Sequence, residues 1–128
     1  MRFSFPCFPA EFEIPNEWWE QAGMREFSPV DAAYRSTSDA TLMRLREIEP
    51  PFRFPECPLD FRGFGRDRMI RVLAGFVAGN EIEPVPVLDL FRRDLSVAGP
   101  FRYRVRDGFH RFYASVAAGF KCLPVVIT

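Results

Sequence analysis

The stretch Tyr103-Arg104-Val105-Arg106-Asp107-Gly108-Phe109-His110-Arg111 decides the fold class of this chain. Residues 103–105 alternate apolar and charged side chains, which predicts a short strand. Asp-Gly favours a tight turn, and the apolar residues that follow recur at helical spacing as far as Ala118, before Gly119. The stretch therefore predicts a strand, a turn and a helix in direct succession.

The start of this predicted helix carries the residues suited to chemistry. Phe109 lies on the apolar face of the helical wheel, whereas Arg111 falls opposite that face and His110 on its flank. Free N–H groups and the helix dipole favour anions in the first turn. The pattern predicts a phosphate site at Asp107, Gly108, Phe109, His110 and Arg111. In the alternative, Asp107 caps the helix, Arg111 is solvated and His110 bonds a neighbouring carbonyl.

The rest of the chain supplies further elements for a mixed sheet. Apolar alternation and helical spacing predict strands at 42–48, 85–88 and 123–127, a helix at about 67–78 and a Pro-rich extended segment at 52–58. Pro84 and Pro86 favour an edge or a bulge for the strand that contains them. The fold class predicted is α+β, a mixed sheet packed with helices.

Residues 1–41 predict an aromatic-rich extension packed on the core. Its short helix is expected at Glu17–Ala22, with Asn16 as N-cap and Gly23 just after its end. Trp18 and Trp19 lie on this helix. They are expected to hold it on the core, and the alternative use is a surface for a protein partner or a homodimer.

Composition excludes several classes of protein. The 17 basic and 17 acidic residues balance, which argues against a surface that wraps nucleic acid. Cys7, Cys57 and Cys122 form neither a zinc spacing nor a disulfide framework, and no metal cage is visible. Because the N-terminus is unlike a signal peptide and no apolar run reaches about 20 residues, we expect a cytoplasmic protein without membrane association.

Two stretches resemble the ParB N-terminal domain-like/sulfiredoxin-like superfamily. The stretch 107–114, with Ala118-Gly119 and Leu123-Pro124-Val125, resembles its signature; residues 45–53 resemble its first strand with the proline and arginine that follow. The helix that ends at Gly79 and the segment 82–87 match the next elements of the superfamily in order, so the resemblance covers about two thirds of the chain. It implies a small ParB/sulfiredoxin-like domain at 42–128, preceded by the extension at 1–41.

The branches of this superfamily fit the motif unequally. Sulfiredoxins use a cysteine where this chain has Phe109, and chromosome-partitioning ParB proteins use Gly-Glu-Arg-Arg. The Asp-Gly-His-His-Arg motif of free-serine kinases is nearest, although Phe109 replaces its first histidine. That branch implies a catalytic base at Glu49, or Glu47, and a role for His110; Arg53 would join the phosphate site. The alternatives are a solvated carboxylate and a surface arginine.

The resemblance implies a nucleotide- or phosphate-binding domain. It would act as a small-molecule phosphotransferase or nucleotide hydrolase, with ATP, ADP or CTP and Mg²⁺ bridging the phosphates. The ligand is expected to be a nucleotide or another phosphorylated small molecule. The alternative function is a non-catalytic protein-interaction or DNA-associated regulatory module that retains the fold.

Overall fold

The computed structural model describes residues 1–6, 10–53, 60–91 and 101–128, and it confirms the α+β class. Helices pack on a mixed five-stranded sheet, and a two-stranded hairpin lies near the N-terminus. The strands are β1 Arg2–Ser4, β2 Glu11–Glu13, β3 Thr41–Arg44, β4 Ile48–Glu49, β5 Val85–Asp89, β6 Tyr103–Val105 and β7 Cys122–Ile127. The helices are α1 Asn16–Gln21, α2 Arg66–Ala78 and α3 Phe109–Ala118, and Met24–Glu26 and Leu45–Glu47 form 3₁₀ turns.

The five-stranded sheet has the order β3-β7-β5-β6-β4. β7 and β5 are parallel, as are β6 and β4, whereas β3–β7 and β5–β6 are antiparallel. Strands β3 and β4 are thus the two edges, although only residues 45–47 separate them in sequence. The predicted single strand 42–48 is wrong, because the chain leaves one edge and enters the other within it.

This crossing requires the sheet to curl. Four intervals between neighbouring strands would span about 19 Å in a flat sheet. The four residue steps from Arg44 to Ile48 reach at most about 14 Å when fully extended, and the 3₁₀ turn between them is shorter. Leu45 and Ile48 are buried at this crossing. The curl therefore brings the two edges together around apolar side chains.

Strand β5 is the central strand, which corrects the prediction of an edge. Its pairing with β6 begins at Val87, after Pro86, so the proline lies outside that antiparallel ladder. Pro86 still contributes its carbonyl, which accepts a hydrogen bond from Arg106 N–H at 2.9 Å. A missing N–H is tolerated here because the residue lies near the beginning of the strand.

The helix predictions are confirmed in position and corrected at one cap. Helices α2 and α3 follow the predicted bounds, and Gly23 follows α1 with a φ of 82°. Asn16 is the first residue of α1 rather than its cap, and Pro15 occupies the cap position. The Asn16 side chain instead accepts a hydrogen bond from the N-terminal ammonium group at 2.8 Å. Of the predicted extended segment, residues 54–58 lie outside the described residues.

The residues before β3 contribute to the same hydrophobic core as the sheet. Phe12, Ile14, Trp18 and Met24 are buried in it, and the Phe12 ring contacts that of Tyr113 on α3 at 5.0 Å. Trp18 is thus buried, as expected for a residue that holds α1 on the core. No helix within the four described ranges has both the length and the apolar character needed to span a bilayer.

We expect Phe12→Ala to lower the free energy of unfolding by about 3–5 kcal/mol, because it leaves a cavity in this shared core. The matched control is Phe52→Ala, since Phe52 is 81% exposed; its effect should stay within about 0.5 kcal/mol. Urea unfolding followed by tryptophan fluorescence measures both. Equal effects would mean that the extension does not pack on the core.

Candidate functional site

Helix α3 begins without a side-chain cap. Gly108 occupies the cap position, and Asp107 is exposed and makes no capping bond, which corrects the reading of Asp107 as the cap. Within the described residues, no hydrogen bond reaches the N–H groups of Phe109, His110 and Arg111. The helix continues from the bond between Phe112 N–H and the Gly108 carbonyl. The first turn therefore presents three free donors, as an anion site requires.

Both the backbone conformation at position 108 and the side chain packed against it require a glycine. Its φ is +119°, which L side chains rarely adopt. A Cβ atom there would lie 3.0 Å from both γ-carbons of Val85 on β5. A side chain of the sheet thus occupies the space beside Gly108 on that side. Gly108 lets α3 begin directly against β5.

Replacing Gly108 by alanine should lower the free energy of unfolding by about 2–4 kcal/mol. The backbone strain at a positive φ and the steric clash with Val85 would both destabilise the folded state. Gly79→Ala is the matched control. Gly79 also has a positive φ, of 69°, but nothing lies within 4 Å of its Cβ position, so about 1 kcal/mol is expected. Chemical denaturation measures both. A Gly108 effect no larger than that of Gly79 would contradict the packing argument.

His110 connects the starts of two helices. Its Nε2 atom accepts a hydrogen bond of 2.9 Å from the N–H of Gly65, the residue that caps α2. The alternative of a bond to a carbonyl is not observed among the described residues, where the bonded nitrogen of His110 is an acceptor. The proton of the neutral ring is thereby assigned to Nδ1. Burial, and secondarily the positive charge of Arg68, lower the pKa of His110 to about 4.

This neutral histidine makes stability depend on pH. The folded pKa lies below the ordinary value of 6.5, so the unfolded chain takes up a proton first as the pH falls. The folded state should lose about 1–2 kcal/mol between pH 6.5 and 4, allowing for the partial exposure of the ring. His110→Gln, which does not titrate, should lose less over that window in urea unfolding. The same slope in both proteins would contradict a neutral His110; the chain has no other histidine.

Arg111 contacts the backbone that leads into β5. Its Nη1 donates to the carbonyls of Glu83 and Pro84, at 3.0 and 2.9 Å. The alternative of a solvated Arg111 is therefore wrong. Of its five N–H donors, those on Nε and Nη2 make no hydrogen bond within the described part of the chain. Arg111 positions the strand and keeps donors for a ligand.

Arg53 lies against the aromatic cluster beneath the start of α3. Its guanidinium lies 5.1 Å from the centre of the Phe64 ring, which in turn contacts the Phe109 ring at 5.6 Å. The Nη1 atom of Arg53 is buried and has no hydrogen-bond partner among the described residues. The arginine also lines a cavity of about 160 Å³ beside Arg62 and Glu13. Arg53 is thus not the simple surface arginine of the alternative.

Glu49 lies apart from this group. In β4 it pairs with Arg104 of β6, and its Oε2 forms an ion pair with Arg104 Nε at 2.9 Å. Among the contacts of the described residues, none joins Glu49 to His110 or Arg53. The structure therefore brings Arg53, Phe109 and His110 around Phe64 and leaves Glu49 on the sheet. A catalytic role for Glu49 stays a prediction.

Sequence reasoning missed the partners that hold these residues. Gly65 and Phe64 lie on the loop before α2, and the Asp60 carboxylate accepts the N–H of Arg66 in the first turn of that helix. A glycine before a helical pattern signals a cap, but no sequence pattern indicates which distant side chain will bond to it. A sequence pattern could have indicated Arg104 as an exposed partner for a carboxylate. Residues 102, 104 and 106 are all arginines, and alternate residues lie on one face of a strand.

Comparison of the chain with protein-family models, with curated proteins and with solved structures finds no match. Within the described ranges, no three side chains of His, Cys, Asp or Glu lie together in a way that could hold a metal ion. The site is therefore argued from its own geometry.

Proposed function

We propose that this chain is a ParB/sulfiredoxin-like domain that binds the phosphate groups of a nucleotide or a related phosphoester at the start of α3. The observation that carries the proposal is the uncapped first turn, with free N–H groups on Phe109, His110 and Arg111. Phosphate oxygens are suitable acceptors for such donors, and the helix dipole favours their negative charge.

Arg53 supplies the second element of the proposed site. A buried N–H group without a partner costs about 1–3 kcal/mol, so an acceptor near Arg53 Nη1 would be favourable. A phosphate oxygen is such an acceptor, and a guanidinium group binds it with a charge-assisted hydrogen bond. The Phe64 ring contacts both Arg53 and Phe109, which supports a place for the arginine in the proposed site.

His110 acts in this proposal as a neutral donor. Because Nε2 is occupied by Gly65 N–H, the Nδ1–H group is left to donate to a phosphate oxygen. With its pKa lowered to about 4 by burial and Arg68, the ring does not serve as a general acid near neutral pH. Arg111 adds its remaining N–H donors while Nη1 stays on the backbone carbonyls.

The proposed ligand is ATP, ADP or CTP, with Mg²⁺ held mainly by the phosphates and water. A phosphotransferase or nucleotide hydrolase activity would further need a base. Glu49 is the candidate for it, and it would have to exchange its ion pair with Arg104 for the acceptor hydroxyl or water. In that case Glu49→Gln should abolish turnover and leave nucleotide affinity unchanged, whereas a pure binding domain would show no turnover to lose.

Nucleotide binding should raise the melting temperature, since a ligand of the folded state stabilises it. The experiment is a panel of ATP, ADP, CTP and inorganic phosphate, each with and without Mg²⁺, followed by calorimetric titration of the best ligand. Arg53→Gln should weaken its affinity about tenfold, the effect of one charge-assisted contact. The exposed Arg25 on the 3₁₀ turn supplies the charge-matched control, Arg25→Gln.

Three results would reject the proposal: no ligand of the panel shifts the melting temperature, Arg25→Gln weakens binding as much as Arg53→Gln, or binding survives in Arg53→Gln unchanged. Unfolding curves of both variants establish that each is folded at the titration temperature. Arg111 is a poor choice for this test, because its substitution would also release the carbonyls of Glu83 and Pro84.

A further inference from the structure

A second cavity, of about 410 Å³, lies at the opposite end of α3 from Gly108. A volume of this order suits a small-molecule ligand. The end of β3, the turn after it and the start of β7 form its walls. The described residues that line it are Pro6, Ala32, Arg44, Arg46, Phe120, Lys121 and Cys122.

Three cationic side chains share this cavity. They are Arg44, Arg46 and Lys121, all of them exposed, and no carboxylate is present among its described lining residues. Neither Arg44 nor Lys121 forms an ion pair within the described part of the chain. Lys121 is the only lysine of the whole sequence. The like charges of Arg44 and Lys121 repel each other in one concave site, so an anion bound there would be stabilised.

Hydrogen bonds order the backbone from which these cationic side chains project. The Ala32 carbonyl accepts hydrogen bonds from the N–H groups of Lys121 and Cys122, at 3.0 and 2.9 Å, and the Lys121 carbonyl accepts one from Leu45 N–H at 2.9 Å. Arg44 pairs with Cys122 across the β3–β7 ladder. The site is therefore built by ordered strand ends, which suits binding with little loss of backbone entropy.

A purely structural explanation covers only part of the cluster. Lys121 follows the end of α3 by a few residues, where a positive charge is favourable against the helix dipole. The helix dipole does not explain the positions of Arg44 and Arg46, which belong to β3 and to the 3₁₀ turn after it. Leu45 between them is buried, so the turn directs the two arginines away from the core, on the side where the cavity lies.

The geometry points to a second binding site here, for a small molecule that carries two or more negative charges on oxygen atoms. Phosphorylated and polycarboxylate molecules share this chemistry, and arginine binds both groups through paired N–H donors. The ten residues of α3 place about 15 Å between this site and the free N–H groups at the other end of the helix. This site is therefore distinct from the phosphate site proposed above.

The single lysine permits a direct test by affinity labelling of the full chain. Pyridoxal phosphate and pyridoxal both form an imine with an amine, and borohydride reduction fixes the label for mass spectrometry. The phosphorylated reagent should label Lys121 about tenfold faster than pyridoxal, because the arginines hold its phosphate. The Met1 amine, which donates to the Ile14 carbonyl, serves as the internal reference.

Competitors and variants complete the test. At constant ionic strength, pyrophosphate or citrate should protect Lys121, and the stronger of the two identifies the class of ligand; protection by neither overturns the inference. Arg44→Gln with Arg46→Gln should remove the preference for the phosphorylated reagent. The charge-matched pair Arg25→Gln with Arg71→Gln, exposed and outside the cavity, should keep it. Equal labelling by both reagents, or equal loss in both double variants, contradicts the site.

Arg53→Gln separates this inference from the proposed function. Labelling of Lys121 and its protection should be unchanged in that variant, even if nucleotide binding is lost. A parallel loss of Lys121 protection in Arg53→Gln would show that the anion acts from the other end of α3, and the second site would be rejected.

Discussion

The hydrogen bond from Gly65 N–H to His110 Nε2 joins the beginnings of α2 and α3 through two residues that lie 45 positions apart in sequence. It needs a neutral imidazole, and burial together with Arg68 keeps the pKa of that imidazole low. The next residue, Arg111, holds the carbonyls before β5. The side chains of His110 and Arg111 in the first turn of α3 thus help to assemble the fold, whereas the N–H groups of that turn have no partner among the described residues.

The site in the structure therefore differs from the site that the sequence alone suggested. His110 and Arg111 were expected to contribute to a phosphate site together with the helix start, and both also make specific contacts inside the protein. Among the described residues, the donors without a partner include the backbone N–H groups of the first turn and the buried Nη1 of Arg53, beside Nδ1–H of His110 and the remaining N–H groups of Arg111. A site of this kind depends on shape and hydrogen bonding more than on the net charge of its side chains, as is usual for anions at helix starts.

Local patterns predicted the elements well and their arrangement poorly. Helix α3 and strand β6 follow from spacing and turn residues, which act within a few positions of the chain. The break at Leu45–Glu47 and the central place of β5 depend on which strands pair, and apolar alternation is the same on either side of a sheet. The curl of the sheet could be derived only once β3 and β4 were known to be opposite edges.

The site could be predicted to a similar extent. The residues 107–111 suggested a helix start suited to anions, because caps and helix faces are local features. The bond of His110 to Gly65 and the ion pair of Glu49 with Arg104 join residues 45 and 55 positions apart, and no local pattern specifies such partners. The same limit applies to the cationic cavity, which forms only when β3 and β7 pair.

The most direct test of the account is a ¹⁵N-labelled NMR titration of the protein with Mg²⁺-nucleotide and with inorganic phosphate. The account predicts that the amide signals of Phe109, His110 and Arg111 shift together and saturate with one binding constant. Amides elsewhere on α3 should move little, because their N–H groups are already bonded within the helix. Saturable shifts confined to other parts of the chain, or no shift at the start of α3, would contradict it.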